Sequence, residues 1–182
     1  YNPDLSRKLL AEAGYPDGLT LTGFSLNIPE TQTFSKAVMG MLADVGITWK
    51  PVFLGVTGMA EPFKRLDFDI IGSIYPLVQE PDHIASLLYK PDSFFNNGRS
   101  RNEKAIELIK AGRKEVDFEK RKQIYYELEK VLYNNYEDVW LFYPNAIMAT
   151  NKNLEGFNNE LFKKYGEGYF FSHPMWFKEG SP

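Results

Sequence analysis

Two aspartates, two histidines and one serine are the side chains whose types and spacing suggest chemistry. Asp67 and Asp69 are two positions apart, so on a strand they share one face, as a general acid and a general base would. His83 and His173 lack the HxxxH spacing of a helical metal site, and Ser73 lacks the GxSxG turn of a hydrolase nucleophile. Catalysis therefore has little support, although a small α/β hydrolase using Asp67, Asp69 or His83 stays an alternative.

Composition excludes several other classes of site. The 182 residues carry a formal net charge of −3 and contain no cysteine. No cluster of lysine and arginine forms the basic surface that nucleic-acid binding needs, and thiolate chemistry, disulfides and cysteine-based zinc sites are ruled out. The glycines form neither GxGxxG nor a phosphate-binding loop. We therefore expect no cofactor, no metal and no nucleic-acid partner.

The stretch from Arg65 to Asp82 favours ligand binding. Residues 69–73 have the pattern of a strand, and Tyr75-Pro76 and Glu80-Pro81 then bracket a loop that contains Leu77 and Gln79. In open α/β sheets, ligands bind beyond the carboxyl ends of the strands. The Tyr75 ring and the Gln79 amide would suit such a site, whereas the alternative is a structural loop with Tyr75 in the core.

Hydrophobic periodicity predicts the elements that position this loop. A strand, a helix and a second strand follow in order at residues 19–22, 31–45 and 47–53, which favours a parallel crossover. Phe34, Val38, Met41, Leu42 and Val45 are the predicted apolar face of that helix. The remaining predicted helices run from residue 3 to Gly14, through Met59 and Phe63, and over residues 82–89, 101–114 and 117–133. Residues 90–100 are predicted to form a loop, residues 139–143 a short strand, residues 146–149 an extended segment, and the residues beyond Thr150 a tail without its own core.

Several motifs, taken in order, resemble bacterial extracellular solute-binding proteins of the peptide/nickel class (family 5), which serve ABC importers. The first is the opening Tyr-Asn-Pro-Asp followed by Leu-Leu-Ala-Glu-Ala-Gly-Tyr-Pro-Asp-Gly at residues 9–18. The others are Val-Gly-Ile at 45–47, Asp-Phe-Asp-Ile at 67–70, Glu-Pro-Asp at 80–82, Asp-Phe-Glu-Lys-Arg at 117–121 and Trp-Leu-Phe-Tyr at 140–143.

The resemblance implies a fold and a function. The fold is one lobe of a type II periplasmic-binding-protein-like architecture, an α/β lobe with a mainly parallel sheet flanked by helices and a C-terminal extended arm. Residues 1–149 would form the C-terminal ligand-binding lobe, and residues 150–182 a return segment that completes the other lobe. The implied protein is a non-enzymatic, extracytoplasmic binder, periplasmic or lipid-anchored at the cell surface. Its implied partners are a peptide or small-molecule ligand, the membrane permease and the N-terminal lobe. No export signal is visible in the sequence.

One departure from the family bears on the ligand. Peptide binders of this class place an aspartate near the position of Leu77, where it pairs with the amino group of the peptide. A buried ammonium without a partner would be costly, so a neutral or sugar-like solute competes with a peptide. A separate alternative is a protein-interaction module that uses the aromatic tail. The ligand-binding residues predicted here are Tyr75, Leu77, Gln79, Asn96, Asn97 and Arg99.

Overall fold

The computed structural model describes residues 1–75, 80–143, 145, 147, 149–165 and 175–179. The chain divides into a first unit, Tyr1–Tyr75, and a second unit, Pro76–Pro182. Elements of the first unit are α1 (Pro3–Glu12), β1 (Leu19–Leu26), α2 (Pro29–Ala43), β2 (Ile47–Leu54), a 3-10 turn (Val56–Met59), α3 (Ala60–Arg65) and β3 (Ile70–Gly72). Elements of the second unit are α4 (Pro81–Tyr89), α5 (Glu103–Lys114), α6 (Phe118–Asn134), β4 (Leu154–Glu155), α7 (Asn159–Tyr165) and β5 (Trp176–Phe177).

A parallel three-stranded sheet organises the first unit. The strand order is β2-β1-β3, with Leu19 opposite Ile47 and Gly23 opposite Ile70. The predicted β-α-β order and the α/β fold class are therefore confirmed. Because all three strands run in one direction, their carboxyl ends lie at one edge of the sheet.

The core of the first unit combines aromatic rings with small polar side chains. Phe24 and Trp49 are both 3% exposed, and the Phe24 ring makes edge contacts with Phe63 and Phe68 at centroid distances of 5.3 and 5.2 Å. Such edge-to-face pairs add stability beyond the buried area.

The predicted apolar face of α2 is wrong in part, because the fully buried side chains of this helix are Thr31 and Ser35. Ser35 Oγ lies 2.9 Å from Ser25 Oγ, which donates to the Gly72 carbonyl at 3.1 Å. Met41 is instead 60% exposed. A hydrophobic pattern does not count serine and threonine as core residues, whereas here the hydroxyls satisfy each other across the contact with the sheet.

Three helices form the core of the second unit. The Asp117 side chain caps the first turn of α6, because its carboxylate accepts from Lys120 N at 2.9 Å. Tyr89 donates a hydrogen bond to the Asp138 carboxylate, which ties the residues after α6 back to α4. The buried residues shared by α4, α5 and α6 are Ala85, Tyr89, Ala105, Leu108, Ile109, Tyr125, Leu128 and Leu132.

The predicted strand at residues 139–143 is wrong. These residues have no strand assignment, and their apolar side chains are exposed, from 48% at Trp140 to 94% at Tyr143. A β-rich sequence forms a strand only when a neighbouring strand accepts its hydrogen bonds, and the described sheets offer none here. Of the predicted extended segment at 146–149, residues 146 and 148 lie outside the described residues, and residues 147 and 149 have no strand assignment.

The tail beyond Thr150 has more structure than its weak periodicity predicts. β4 pairs antiparallel with β5, with Leu154 opposite Phe177, and the Phe157 and Phe162 rings lie 6.1 Å apart. These elements are too short for periodicity to detect.

Of the helices described, none combines the length and apolar character that a membrane span requires.

Candidate functional site

The carboxyl edge of the first sheet is the part of the first unit that resembles a ligand site. The chain leaves the three strands at Asn27, Gly55 and Ser73. Asn27 N donates to the Leu54 carbonyl at 2.8 Å, and Gln32 donates to Asn27 Oδ1 at 2.5 Å. The Asn27 and Gln32 carboxamides are therefore held where an α/β sheet commonly receives a ligand.

Close packing below this edge fixes the end of β3. A Cβ atom on Gly72 would lie 2.8 Å from Ser25 Oγ and 3.0 Å from both Ser35 Oγ and Trp49 Cη2. Only glycine fits this contact without displacing its neighbours. The strand thus delivers Ser73 and Tyr75 to the edge, and Tyr75 is 48% exposed.

The predicted residues Asn96, Asn97 and Arg99 lie in one loop of the second unit. The Asn96 side chain closes this loop, since it accepts from Ser100 N at 2.8 Å and donates to the Ser100 carbonyl at 2.9 Å. Arg99 has a left-handed φ of +55°, which such a tight turn requires. The Asn96 amide therefore already serves the loop itself.

Asn97 has the chemistry of a ligand-binding side chain. It is 8% exposed, and its Oδ1 atom is buried without a hydrogen-bond donor among the described residues. Ser100 is 5% exposed, and its Oγ atom is also buried without a hydrogen-bond partner among the described residues. An unpaired buried acceptor costs about 1–3 kcal/mol, which makes Asn97 Oδ1 a candidate acceptor for a donor group of a solute.

The other predicted ligand residues cannot be placed in the same way. Leu77 and Gln79 lie outside the described residues. Tyr75 closes the first unit, whereas Asn96, Asn97 and Arg99 belong to the second.

Sequence reasoning missed a set of ion pairs at the start of α4. Glu80 caps α4 and pairs with Arg121 of α6, while Asp82 pairs with Arg113 of α5 at 3.3 Å. The hydrogen bond from Arg121 lowers the pKa of the Glu80 carboxyl below its usual value. Both acids belong to the Glu-Pro-Asp motif, but a sequence motif does not reveal which cations meet it.

A groove of about 470 Å³ lies beside these pairs and includes His83 in its lining. Several charged groups of its lining pair within the protein: Asp82 with Arg113, Glu80 with Arg121, and Lys90 with Asp92 at 3.6 Å. An ionic contact with a substrate would therefore compete with these existing pairs. In the described part of the chain, no group of three or more His, Cys, Asp or Glu side chains is placed to hold a metal ion.

Asp69, a residue of the hydrolase alternative, has a structural role. Its carboxylate accepts from Thr22 N at 2.7 Å and from Thr22 Oγ1 at 2.9 Å, and these bonds lower its pKa. A lowered pKa keeps the carboxylate ionised at neutral pH, which is unsuitable for a general acid. The hydrogen bonds from Thr22 to ionised Asp69 stabilise the folded protein fully at pH values above the ordinary pKa of aspartate. This stabilisation is lost as the pH falls through the lowered pKa of Asp69.

Comparison with known proteins supports the fold. No protein-family model and no curated protein matches the chain. The oligopeptide-binding protein AppA from Bacillus subtilis, solved with a nonapeptide, is similar with a TM-score of 0.80 and 20% identity over 98% of this chain and 38% of AppA. The chain has the fold of ABC-transporter substrate-binding proteins.

Two further structures of this substrate-binding fold match a smaller part of the chain. The dipeptide-binding protein from Pseudoalteromonas sp. SM9913, in complex with Met-Leu, has a TM-score of 0.68 and 18% identity over 75% of this chain and 29% of its own. NikA from Staphylococcus aureus, in complex with Ni(L-His)2, has a TM-score of 0.64 and 20% identity over 75% of this chain and 30% of its own. The chain thus spans less than two fifths of the length of each of these three proteins.

Proposed function

We propose that this chain is part of the extracytoplasmic solute-binding component of an ABC importer, and that the whole protein captures an oligopeptide or a similar small polar solute between two lobes. The observation that carries the proposal is the similarity to AppA, because it extends over 98% of the chain at a TM-score of 0.80. The peptide/nickel-class motifs of the sequence support the same assignment. The proposed role is binding without turnover.

Each predicted side chain has a defined task in this proposal. Tyr75 supplies a ring against which a solute packs, Leu77 an apolar contact and Gln79 an amide. Asn97 accepts a hydrogen bond from a donor group of the solute, since its Oδ1 has no donor among the described residues. Asn96 and Arg99 shape the loop that holds Asn97.

The leucine at position 77 separates the solute classes within this proposal. A peptide brings a charged amino group, which needs a carboxylate or several carbonyl oxygens when it is buried. A neutral solute with hydroxyl or amide donors needs only acceptors such as Asn97 Oδ1. Comparing the affinities of the full-length protein for peptides and for neutral solutes therefore identifies the chemical class of its solute.

The exposed apolar row at residues 139–143 is consistent with a longer protein. Val139, Leu141 and Phe142 are between 50% and 81% exposed, which is unusual for consecutive apolar side chains of a complete soluble domain. We propose that the remainder of the full-length protein covers this row. The alternative, an aromatic tail that docks on another protein, involves two groups of residues. Tyr169, Phe170 and Phe171 lie outside the described residues, whereas Trp176 and Phe177, which follow Met175, are 55% and 57% exposed.

Calorimetric titration of the full-length protein tests the proposed function. The probes are Met-Leu, an alanine-rich nonapeptide, Ni(L-His)2 and glucose, which represent a short peptide, a long peptide, a metal complex and a neutral sugar. We expect saturable binding of one class, no product, and binding at least about tenfold weaker in Asn97→Ala.

Asn153→Ala is the matched control for this titration, because Asn153 lies in the tail segment and its side chain has no proposed contact with the solute. It should bind the probe as the unmodified protein does. Heat from none of the four probes would count against the proposal, and turnover of a probe that disappears in Asp69→Asn would favour the hydrolase.

A further inference from the structure

Two separate sequence motifs meet at the start of α4. Glu80 comes from the Glu-Pro-Asp motif, and Arg121 is the last residue of the Asp-Phe-Glu-Lys-Arg motif, 41 positions later. Arg121 Nη2 donates to Glu80 Oε1, and Arg121 Nη1 donates to Glu80 Oε2 at 3.4 Å. Both carboxylate oxygens are thus bound by one planar guanidinium, a geometry that lysine cannot reproduce.

Arg121 is itself held from two other directions. Its Nε donates to the Gly112 carbonyl at 3.0 Å, and its Cζ lies 5.0 Å from the centre of the Tyr125 ring. A Cβ atom on Gly112 would lie 2.7 Å from Tyr125 Cζ, so glycine is needed for this packing. The side chain is only 26% exposed, which limits screening by solvent. Contacts with α5 and α6 therefore hold the guanidinium in addition to its contact with Glu80.

Glu80, which Arg121 holds in place, is also the N-cap residue of α4. Its Oε1 accepts from Asp82 N at 3.0 Å, which caps the first turn of the helix. Asp82 pairs in turn with Arg113 of α5. The two acids that flank Pro81 are thus bound to arginines on two different helices, and the start of α4 is held from both.

We propose that Arg121 is a positioning residue for the solute site. By binding Glu80 through two hydrogen bonds, it fixes the point at which the chain from Tyr75 enters α4. The effect on the solute rests on the proposed function, because Tyr75 and Gln79 precede this point in the chain. The effect on α4 does not depend on that function.

Amide hydrogen exchange of the full-length protein, measured by mass spectrometry, tests the effect on α4 without a ligand. In Glu80→Gln and in Arg121→Lys, we expect exchange in the first turn of α4 to be about tenfold faster. In Glu80→Gln, which leaves the contacts of Arg121 with Gly112 and Tyr125 in place, exchange in the buried parts of α5 and α6 should not change. In the first turn of α4, the double variant should exchange no faster than the more affected single variant, because the contact between Arg121 and Glu80 is broken by either substitution.

Lys122→Gln is the matched control. Lys122 is the next residue of α6, and its own pair with Glu119 is 4.0 Å long and exposed, so exchange in α4 should stay as in the unmodified protein. Unchanged exchange in both Glu80→Gln and Arg121→Lys would overturn the inference.

Affinity for whichever probe binds the unmodified protein is the second measurement. We expect about tenfold weaker binding in Glu80→Gln and Arg121→Lys, with the melting temperature close to that of Lys122→Gln. Equal affinity in all variants would overturn the positioning role. Absence of binding in the unmodified protein would count against the proposed function alone, and the exchange result would then decide the inference.

Discussion

Replacing Gly23 with alanine is expected to lower the free energy of unfolding of the first unit by about 3 kcal/mol. Gly23 has a φ of +152°, a backbone conformation that residues with a Cβ rarely adopt. A Cβ atom there would also lie 1.9 Å from the Ile70 carbonyl oxygen. The backbone of β3 would have to move away, and the pairing of Gly23 with Ile70 and of Phe24 with Ile71 would be lost.

Amide hydrogen exchange across β1 and β3, together with chemical denaturation, measures this effect. Gly55→Ala is the control, because Gly55 has an ordinary φ of −68° and no atom within 4 Å of the added Cβ. It should change the free energy of unfolding by no more than about 0.5 kcal/mol. Equal stability of Gly23→Ala and Gly55→Ala would contradict the strand register described for β1 and β3.

Replacing Ile109 with alanine is expected to destabilise the second unit by about 3 kcal/mol. Ile109 lies in α5 and is 1% exposed, in the core that α4, α5 and α6 share. The substitution removes buried carbon atoms and leaves a cavity, because the surrounding Leu128 and Leu132 side chains are themselves confined.

The free energy of unfolding from guanidinium titrations, followed by far-ultraviolet circular dichroism, provides the measurement. Val116→Ala is the control, since Val116 lies in the segment that connects α5 to α6 and its side chain is 96% exposed. Its free energy of unfolding should stay within about 0.5 kcal/mol of the unmodified protein. A similarly small change in Ile109→Ala would contradict the assignment of this helical core.

The helices of this protein are largely encoded in local sequence. Asn2 before Pro3 and Asp117 before α6 are N-caps, and both side chains accept a hydrogen bond from a backbone N–H of the helix that follows. The strands β1 and β2 follow from their apolar alternation. These features were predictable because each depends on residues close together in the chain.

Features that depend on distant residues were not predictable in the same way. Val139 to Tyr143 has strand composition but lacks a strand neighbour among the described residues. Thr31 and Ser35 are buried because Ser25 and Gly72 provide partners and space. A local pattern cannot show either circumstance.

The candidate site likewise combines features that the sequence predicts with features that only the structure shows. The sequence indicated Asn96 and Asn97 as polar loop residues, but only the structure distinguishes an amide that closes the loop from a buried oxygen without a described donor. The pairing of Glu80 with Arg121 joins residues 41 positions apart, and either side chain alone resembles an ordinary surface charge. The roles of Leu77 and Gln79 stay predictions.

Native mass spectrometry of the full-length protein, purified without denaturation, tests the central claim of solute binding most directly. We predict a bound population whose excess mass corresponds to one peptide or small polar solute, and which is lost on denaturation with the solute released chemically unchanged. Protein that carries no solute and acquires none from a peptide or sugar mixture, or a released molecule that has been converted to a product, would contradict this account.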